Sequence, residues 1–161
     1  NNNILLFEQK MFYYKLNLFY ANYKWIGTKG TKKKNFISPQ WLRNIKGKKY
    51  SKWRLDTFFS KKKYSNLLFV KDGGWHFTCL KSPEELERKL LNFAHHYEFQ
   101  ESKLKLNDIK KMVKERRALY DHNVDQQDFK WSGKTLLQKT GHSSLPSHVA
   151  NNLEKYKDWI E

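Results

Sequence analysis

Leu67-Leu68-Phe69-Val70-Lys71-Asp72-Gly73-Gly74-Trp75-His76-Phe77-Thr78-Cys79-Leu80 is the stretch on which the fold turns. An apolar run rich in Leu, Phe and Val that stops at a glycine pair predicts a buried strand ending in a tight turn. A second run, 75–80, predicts another strand on the far side. Two glycines let the backbone take positive φ or approach a ligand with no Cβ in the way. An indole follows them directly, and then an imidazole, the side chain that most readily exchanges a proton near neutrality. Two readings stand. The hexapeptide 72–77 is the wall of a pocket, or it is a hairpin corner with Trp75 packed inward and His76 satisfied by a neighbouring carbonyl.

The chain has 161 residues, 30% charged and 16% aromatic, a globular rather than a disordered composition. That length predicts one domain or part of a larger one, with room for a sizeable core. The sequence opens on Asn1-Asn2-Asn3, which suggests a processed chain or a segment of a longer one. No run approaches the ~20 apolar residues of a membrane span. Cys79 is the single cysteine, which excludes an internal disulfide and favours a reducing compartment. The formal charge of +16 is unevenly placed: residues 1–71 hold 17 Lys and Arg against Glu8 and Asp56 alone. Lys32-Lys33-Lys34, Lys46 with Lys48-Lys49, and Lys61-Lys62-Lys63 alternate there with Tyr, Phe and Trp. Such a face attracts a polyanion (nucleic acid, an anionic membrane or a phosphorylated substrate), or else it is simply a solvated surface.

Around the deciding stretch, 4–7 and 11–17 predict extended chain, although Glu8-Gln9-Lys10-Met11 could instead begin a helix, and 23–28 predict a strand ending at Gly27. Ser38 and Pro39 predict a short helix stopped by Gly47. Residues 50–59 are amphipathic without a clear period. Ser82-Pro83-Glu84-Glu85 predicts a capping box opening a helix that runs to His95 or His96. Another is expected from Asn107 to near Tyr120. Residues 121–144 predict loop, and 145–160 a closing helix with Val149, Leu153, Tyr156 and Ile160 on one face. The fold class that follows is α/β, strands first and helices after.

The sequence has no glycine-rich phosphate loop, no Cys/His zinc spacing and no nucleophile elbow. His95 and His96 are adjacent, so on a helix they point about 100° apart and do not chelate one metal together. One of them would supply a single ligand, or would sit at a helix C-terminus where its charge suits the dipole.

Several islands resemble glycosyltransferase family 17, the group that includes the eukaryotic β-1,4-mannosyl-glycoprotein N-acetylglucosaminyltransferase and bacterial relatives. They begin with Glu8-Gln9-Lys10-Met11-Phe12-Tyr13-Tyr14-Lys15-Leu16-Asn17, Trp25-Ile26-Gly27-Thr28 and Pro39-Gln40-Trp41-Leu42-Arg43. Asp72-Gly73-Gly74-Trp75-His76-Phe77 and Lys89-Leu90-Leu91-Asn92-Phe93-Ala94-His95 follow, then Leu145-Pro146, Asn151-Asn152 and Tyr156. They keep the family's order and span nearly the whole chain; Gly-Trp-His is the most specific piece.

The resemblance implies a partial GT-A-like nucleotide-sugar transferase fold, with 1–161 a single partial domain. It implies transfer of N-acetylglucosamine from UDP-N-acetylglucosamine to a glycan hydroxyl with inversion, so the expected partners are a UDP-sugar donor and a glycan acceptor. The family's divalent cation, Mn²⁺ or Mg²⁺, is held by an Asp-x-Asp-type motif upstream of the matched region. This sequence contains no such motif, so the donor and metal half is expected to be missing and the isolated segment inactive. The family pattern is also departed from after His95, where His96-Tyr97-Glu98 stand. On this reading His76 or Asp72 is the general base and Trp75 the acceptor platform, with Gly73 and Gly74 allowing close approach. Arg43 and Lys89 meet phosphate, and His95 completes the metal shell. The composition suggests a cytoplasmic bacterial or viral relative. The rival expectation is a non-enzymatic nucleic-acid binder using the basic, aromatic first half, whereas the transferase needs no specific nucleic acid.

Overall fold

The computed structural model describes residues 4–51, 53–93, 96–124 and 129–161. His95, expected as a metal ligand, lies outside the described residues. The architecture is mixed α/β. Its strands are β1 (Ile4–Phe7), β2 (Gln9–Tyr13), β3 (Leu18–Trp25), β4 (Lys29–Thr31), β5 (Leu67–Val70), β6 (Trp75–Thr78) and β7 (Gln138–Lys139). Its helices are α1 (Pro39–Asn44), α2 (Leu55–Phe58), α3 (Pro83–Leu91), α4 (His96–Glu101), α5 (Leu106–Lys114) and α6 (Ser147–Ala150).

The chain divides into two compact units. One is built from the chain up to Lys10 and from Lys24–Gly74, the other from Met11–Tyr23 and Trp75–Glu161.

In the first unit, β1 is central to a three-stranded sheet of order β4-β1-β5, antiparallel to β4 and parallel to β5. Ile4 and Leu6 alternate inward on β1 and are fully buried. They meet Ile45 and Leu67, with Ile26, Trp41, Leu42, Tyr64 and Phe69 packed around them. The helix expected at Ser38 forms, with the Ser38 hydroxyl accepting from the Trp41 N–H at 3.1 Å. It ends at Asn44, before Gly47, because Ile45 turns to extended backbone and enters the core.

The second unit carries the sheet of order β6-β2-β3-β7, to which β3 and β7 contribute an antiparallel pair. The strands flanking the glycine pair therefore belong to different sheets, which excludes a hairpin corner. The expected extended segment 11–17 is cut short at Tyr13, because Tyr14 takes φ 61°. Likewise β6 stops at Thr78, since Cys79 takes φ 55°. The third predicted strand starts earlier than expected, at Leu18, and ends at Trp25.

Ser82 and Glu85 form the predicted capping box on α3, their side chains each bonding the other's backbone N–H. The helix ends at Leu91 rather than His95, with Asn92 as C-cap and its side chain bonded to the Arg88 carbonyl. α5 ends at Lys114 rather than near Tyr120. Arg116 there takes φ 54°, and the N–H groups of Arg116 and Arg117 return to the carbonyls of Val113 and Met112, a Schellman closure with arginine where glycine is usual. The closing helix is broken into α6 and a 3₁₀ segment, Leu153–Trp159. Among the described residues of 121–144 the expected loop holds, apart from the two-residue β7, an isolated bridge from Leu136 to Arg117 and one 3₁₀ turn, His142–Ser144. No helix among the described residues is long and apolar enough to cross a membrane.

Candidate functional site

The second unit contains a cavity of about 390 Å³. Its polar lining comes from Tyr13, Cys79, Glu98 and His122, and its apolar lining from Leu90, Phe93, Leu119, Tyr120 and Trp131. Four short-range decisions of the backbone bring these residues to one place. β2 delivers Tyr13 at its last position, and the left-handed turn at Cys79 ends β6 at the rim. α3 and α4 supply Leu90 and Glu98 from helical faces. The segment after the Schellman closure then carries Leu119, Tyr120 and His122.

His122 is the centre of this arrangement. Its ring is stacked on Tyr23 at 4.9 Å and 28°, lies 4.9 Å from Tyr120, and meets Tyr13 and Tyr20 edge-on. Its Nε2 is 3.0 Å from the Tyr13 hydroxyl, a bond that can run from phenol to bare nitrogen or from N–H to phenol oxygen. Burial pushes the imidazole down to about 4; neighbouring Asp121 opposes this, while His76 and Lys130 add to it. The ring is therefore neutral at neutral pH. Tyr13 is itself held well above the ordinary phenol range by burial, so it keeps its proton.

Asp121 anchors the segment from behind. Its carboxylate accepts from the Tyr20 hydroxyl at 2.7 Å, the Thr135 hydroxyl at 2.7 Å and the Asn123 N–H at 2.9 Å. Burial alone would raise this acid, but the donated bonds outweigh it and the group titrates below its ordinary value. The Tyr20 oxygen also receives the His122 N–H at 3.0 Å, so carboxylate, phenol and imidazole backbone form one connected chain. Cys79 is a poor nucleophile here: burial raises its thiol, only partly countered by the Thr78 hydroxyl and by Lys89.

The residues singled out from sequence are divided. His76 is half-buried on β6, its imidazole lowered by burial, and close enough to His122 for their charges to interact. Lys89 is exposed on α3 and acts electrostatically on Cys79 at the cavity. Trp75 is 41% exposed and donates its indole N–H to the Ser144 carbonyl at 2.7 Å. Side chains alternate along a strand, so Trp75 and Phe77 share the face opposite His76. The Phe77 ring meets Phe12 at 5.3 Å. Trp75 and His76 thus do not serve one wall together.

Asp72, Gly73, Gly74 and Arg43 belong to the first unit. Asp72 is exposed at φ 49°, Gly73 donates its N–H to the Glu8 carbonyl at 2.8 Å, and Gly74 takes φ 112°. A Cβ on Gly73 would stand 2.8 Å from the Phe7 Cβ, so this glycine serves a close approach within the protein. Arg43 is exposed on α1, and its carbonyl accepts from Lys29 Nζ at 2.6 Å. Among the described residues no group of three His, Cys, Asp or Glu side chains is placed to hold a metal ion.

Sequence reading missed Asp121, His122 and Trp131, because they lie in a segment without periodicity. The one signal was Tyr120-Asp121-His122 itself, three side chains able to build a polar network inside a region read as loop. Comparison with protein-family models, with curated proteins and with solved structures finds no match to this chain.

Proposed function

We propose that this chain is the acceptor-side part of an inverting glycosyltransferase that moves N-acetylglucosamine from UDP-N-acetylglucosamine to a glycan hydroxyl, on a GT-A-like fold. The resemblance to glycosyltransferase family 17 supplies the reaction. The observation that supports it is the aromatic cavity lined by His122, whose ring interacts electrostatically with His76. At about 390 Å³ it falls within the ~300–1,000 Å³ of small-molecule sites, and it combines flat rings with a few polar groups. Trp131 and Tyr120 offer the apolar faces that a pyranose ring covers, and Glu98 and Tyr13 offer hydrogen-bonding partners for its hydroxyls.

In the reaction the acceptor oxygen bonds to the anomeric carbon as the bond to the UDP oxygen breaks, and the acceptor proton passes to a base. His76 is assigned that proton. Burial keeps it neutral at neutral pH and therefore able to accept. Asp72, exposed in the first unit, is the second candidate. Trp75 is assigned to holding the Ser144 carbonyl, and the stacking role passes to Tyr120 and Trp131. Lys89, exposed on α3, is left as the cation for phosphate. A Mn²⁺ or Mg²⁺ ion, once bound, would neutralise the departing diphosphate; its Asp-x-Asp carboxylates are not in this sequence.

The test is UDP release from UDP-N-acetylglucosamine by the full-length gene product, with Mn²⁺ and a panel of oligosaccharide acceptors. Acceptor-dependent release that falls by at least about a hundredfold in His76→Ala is expected, the size usual for a lost general base. No release from any UDP-sugar would sink the proposal.

A further inference from the structure

The first unit holds most of the chain's excess positive charge, and it also exposes large apolar side chains that its core does not use. Trp53 is 92% exposed, Leu55 76% and Phe59 90%, all within seven residues. They are not spilled core, because Ile4, Leu6, Ile45 and Leu67 already fill the interior of this unit. Lysines share the unit with them, and Lys61-Lys62-Lys63 follow Phe59 by two positions in the chain. Lys46, Lys48, Lys49, Lys61 and Lys62 are exposed, and the Lys46 N–H bonds the Lys62 carbonyl at 2.8 Å, which sets the two basic runs side by side.

The segment is held in shape by a polar cluster. The Tyr50 ring has the Arg54 guanidinium at 5.5 Å and Lys63 Nζ at 5.8 Å. Both cations also bind Asp56, at 2.9 and 2.7 Å. Asp56 is the one acid between Gln9 and Lys71, so the only local negative charge is already answered.

We infer that this face, centred on Trp53, Leu55 and Phe59, docks on an anionic lipid bilayer. Exposed Trp, Leu and Phe enter the headgroup and acyl boundary, while lysines of the same unit meet anionic headgroups. The composition favours this partner over nucleic acid. Bases stack on aromatic rings and gain from arginine forks, whereas here an aliphatic leucine stands out with the rings. The cations are nearly all lysine; within 1–71 only Arg43 and Arg54 are arginine. Nothing in the inference depends on the transferase reading.

Vesicle flotation of the full-length protein tests it, with phosphatidylcholine alone and with one-third phosphatidylglycerol. Binding to the anionic vesicles only, weakened by salt, is expected. The triple variant Trp53→Ser/Leu55→Ser/Phe59→Ser removes exposed side chains, so it should keep its far-UV circular dichroism and lose at least roughly tenfold in vesicle affinity. Lys61→Glu/Lys62→Glu should lose affinity as well. A blue shift of emission on binding that is absent in Trp53→Phe would place this indole in the bilayer boundary. The inference is overturned by no binding to anionic vesicles at low salt. It is equally overturned by unchanged binding of the triple variant, or by tight binding of single-stranded RNA without vesicle binding.

Discussion

Acidification should destabilise the second unit through His122. Its imidazole is pushed from an ordinary value of 6.5 to about 4, by burial first and by His76 and Lys130 after that, against the opposing pull of Asp121. The unfolded chain therefore takes up a proton that the native one refuses. Stability from this group is complete above pH 6.5 and is lost as pH falls towards 4, below which both states are protonated and the loss stops growing. A shift of that size is worth about 2.5 kcal/mol at pH 4.5. The ring is partly exposed, so screening reduces the expected effect to about 1–2 kcal/mol. Urea unfolding followed by far-UV circular dichroism at pH 7.5 and 4.5 measures it. His122→Gln cannot titrate, yet keeps a polar group towards Tyr13. It should be less stable than the natural protein at pH 7.5, through lost ring contacts, and should lose about 1–2 kcal/mol less on acidification. Because His76 is also lowered by burial, part of the acid loss should survive in the variant. Parallel losses in the two proteins would refute the reasoning.

Below pH 4 the sensitivity should pass to Asp121, whose folded value is depressed. Its contribution is present above the unfolded carboxylate range and lost as pH falls through the folded value, so Asp121→Asn should flatten the acid limb of the stability curve. Gly73→Ala should destabilise by about 1–3 kcal/mol in thermal melts, because the new Cβ meets the Phe7 Cβ at 2.8 Å and its Cα at 3.1 Å. Lys103 is exposed at φ 58°, so Lys103→Gly should stabilise by up to about 1 kcal/mol in the same assay. Ser82→Ala removes one half of the capping box on α3 and should cost about 1 kcal/mol, read from the urea midpoint.

The elements that could be read from sequence are those whose signals are local. Ser38 with Pro39, Ser82 with Glu85, and the apolar runs 4–7 and 67–70 each carry their own instructions. The ends of elements were less legible. Tyr14, Asp72, Cys79, Lys103 and Arg116 all take positive φ with no glycine to announce it, and three of them close β2, β6 and α5. What holds them there is tertiary: the Tyr14 hydroxyl, for example, is tied to the Arg117 carbonyl at 2.9 Å. The cavity was hidden for a related reason. Tyr13 and Trp131 are 118 positions apart, and no periodicity links a strand end to an aperiodic loop. His76 could be singled out from its neighbours in the chain, but its distant neighbour His122 could not.

The alternation of the chain between its two units has a consequence for synthesis. Neither unit is a contiguous stretch: Met11–Tyr23 emerges from the ribosome early, yet its partners begin only at Trp75. Tyr20 waits for Asp121, and Asn17 for Glu161, whose backbone N–H and carbonyl it binds at 2.9 Å each. At ordinary elongation rates that is a delay on the order of ten seconds, with β2 and β3, rich in Phe and Tyr, paired only with each other and lacking their later partners. The first unit can close once Gly74 has cleared the exit tunnel, while that incomplete sheet is still waiting. A nascent chain of this design is an expected client for a chaperone that shields aromatic segments. Slowing translation after Gly74 should lower the yield of folded protein.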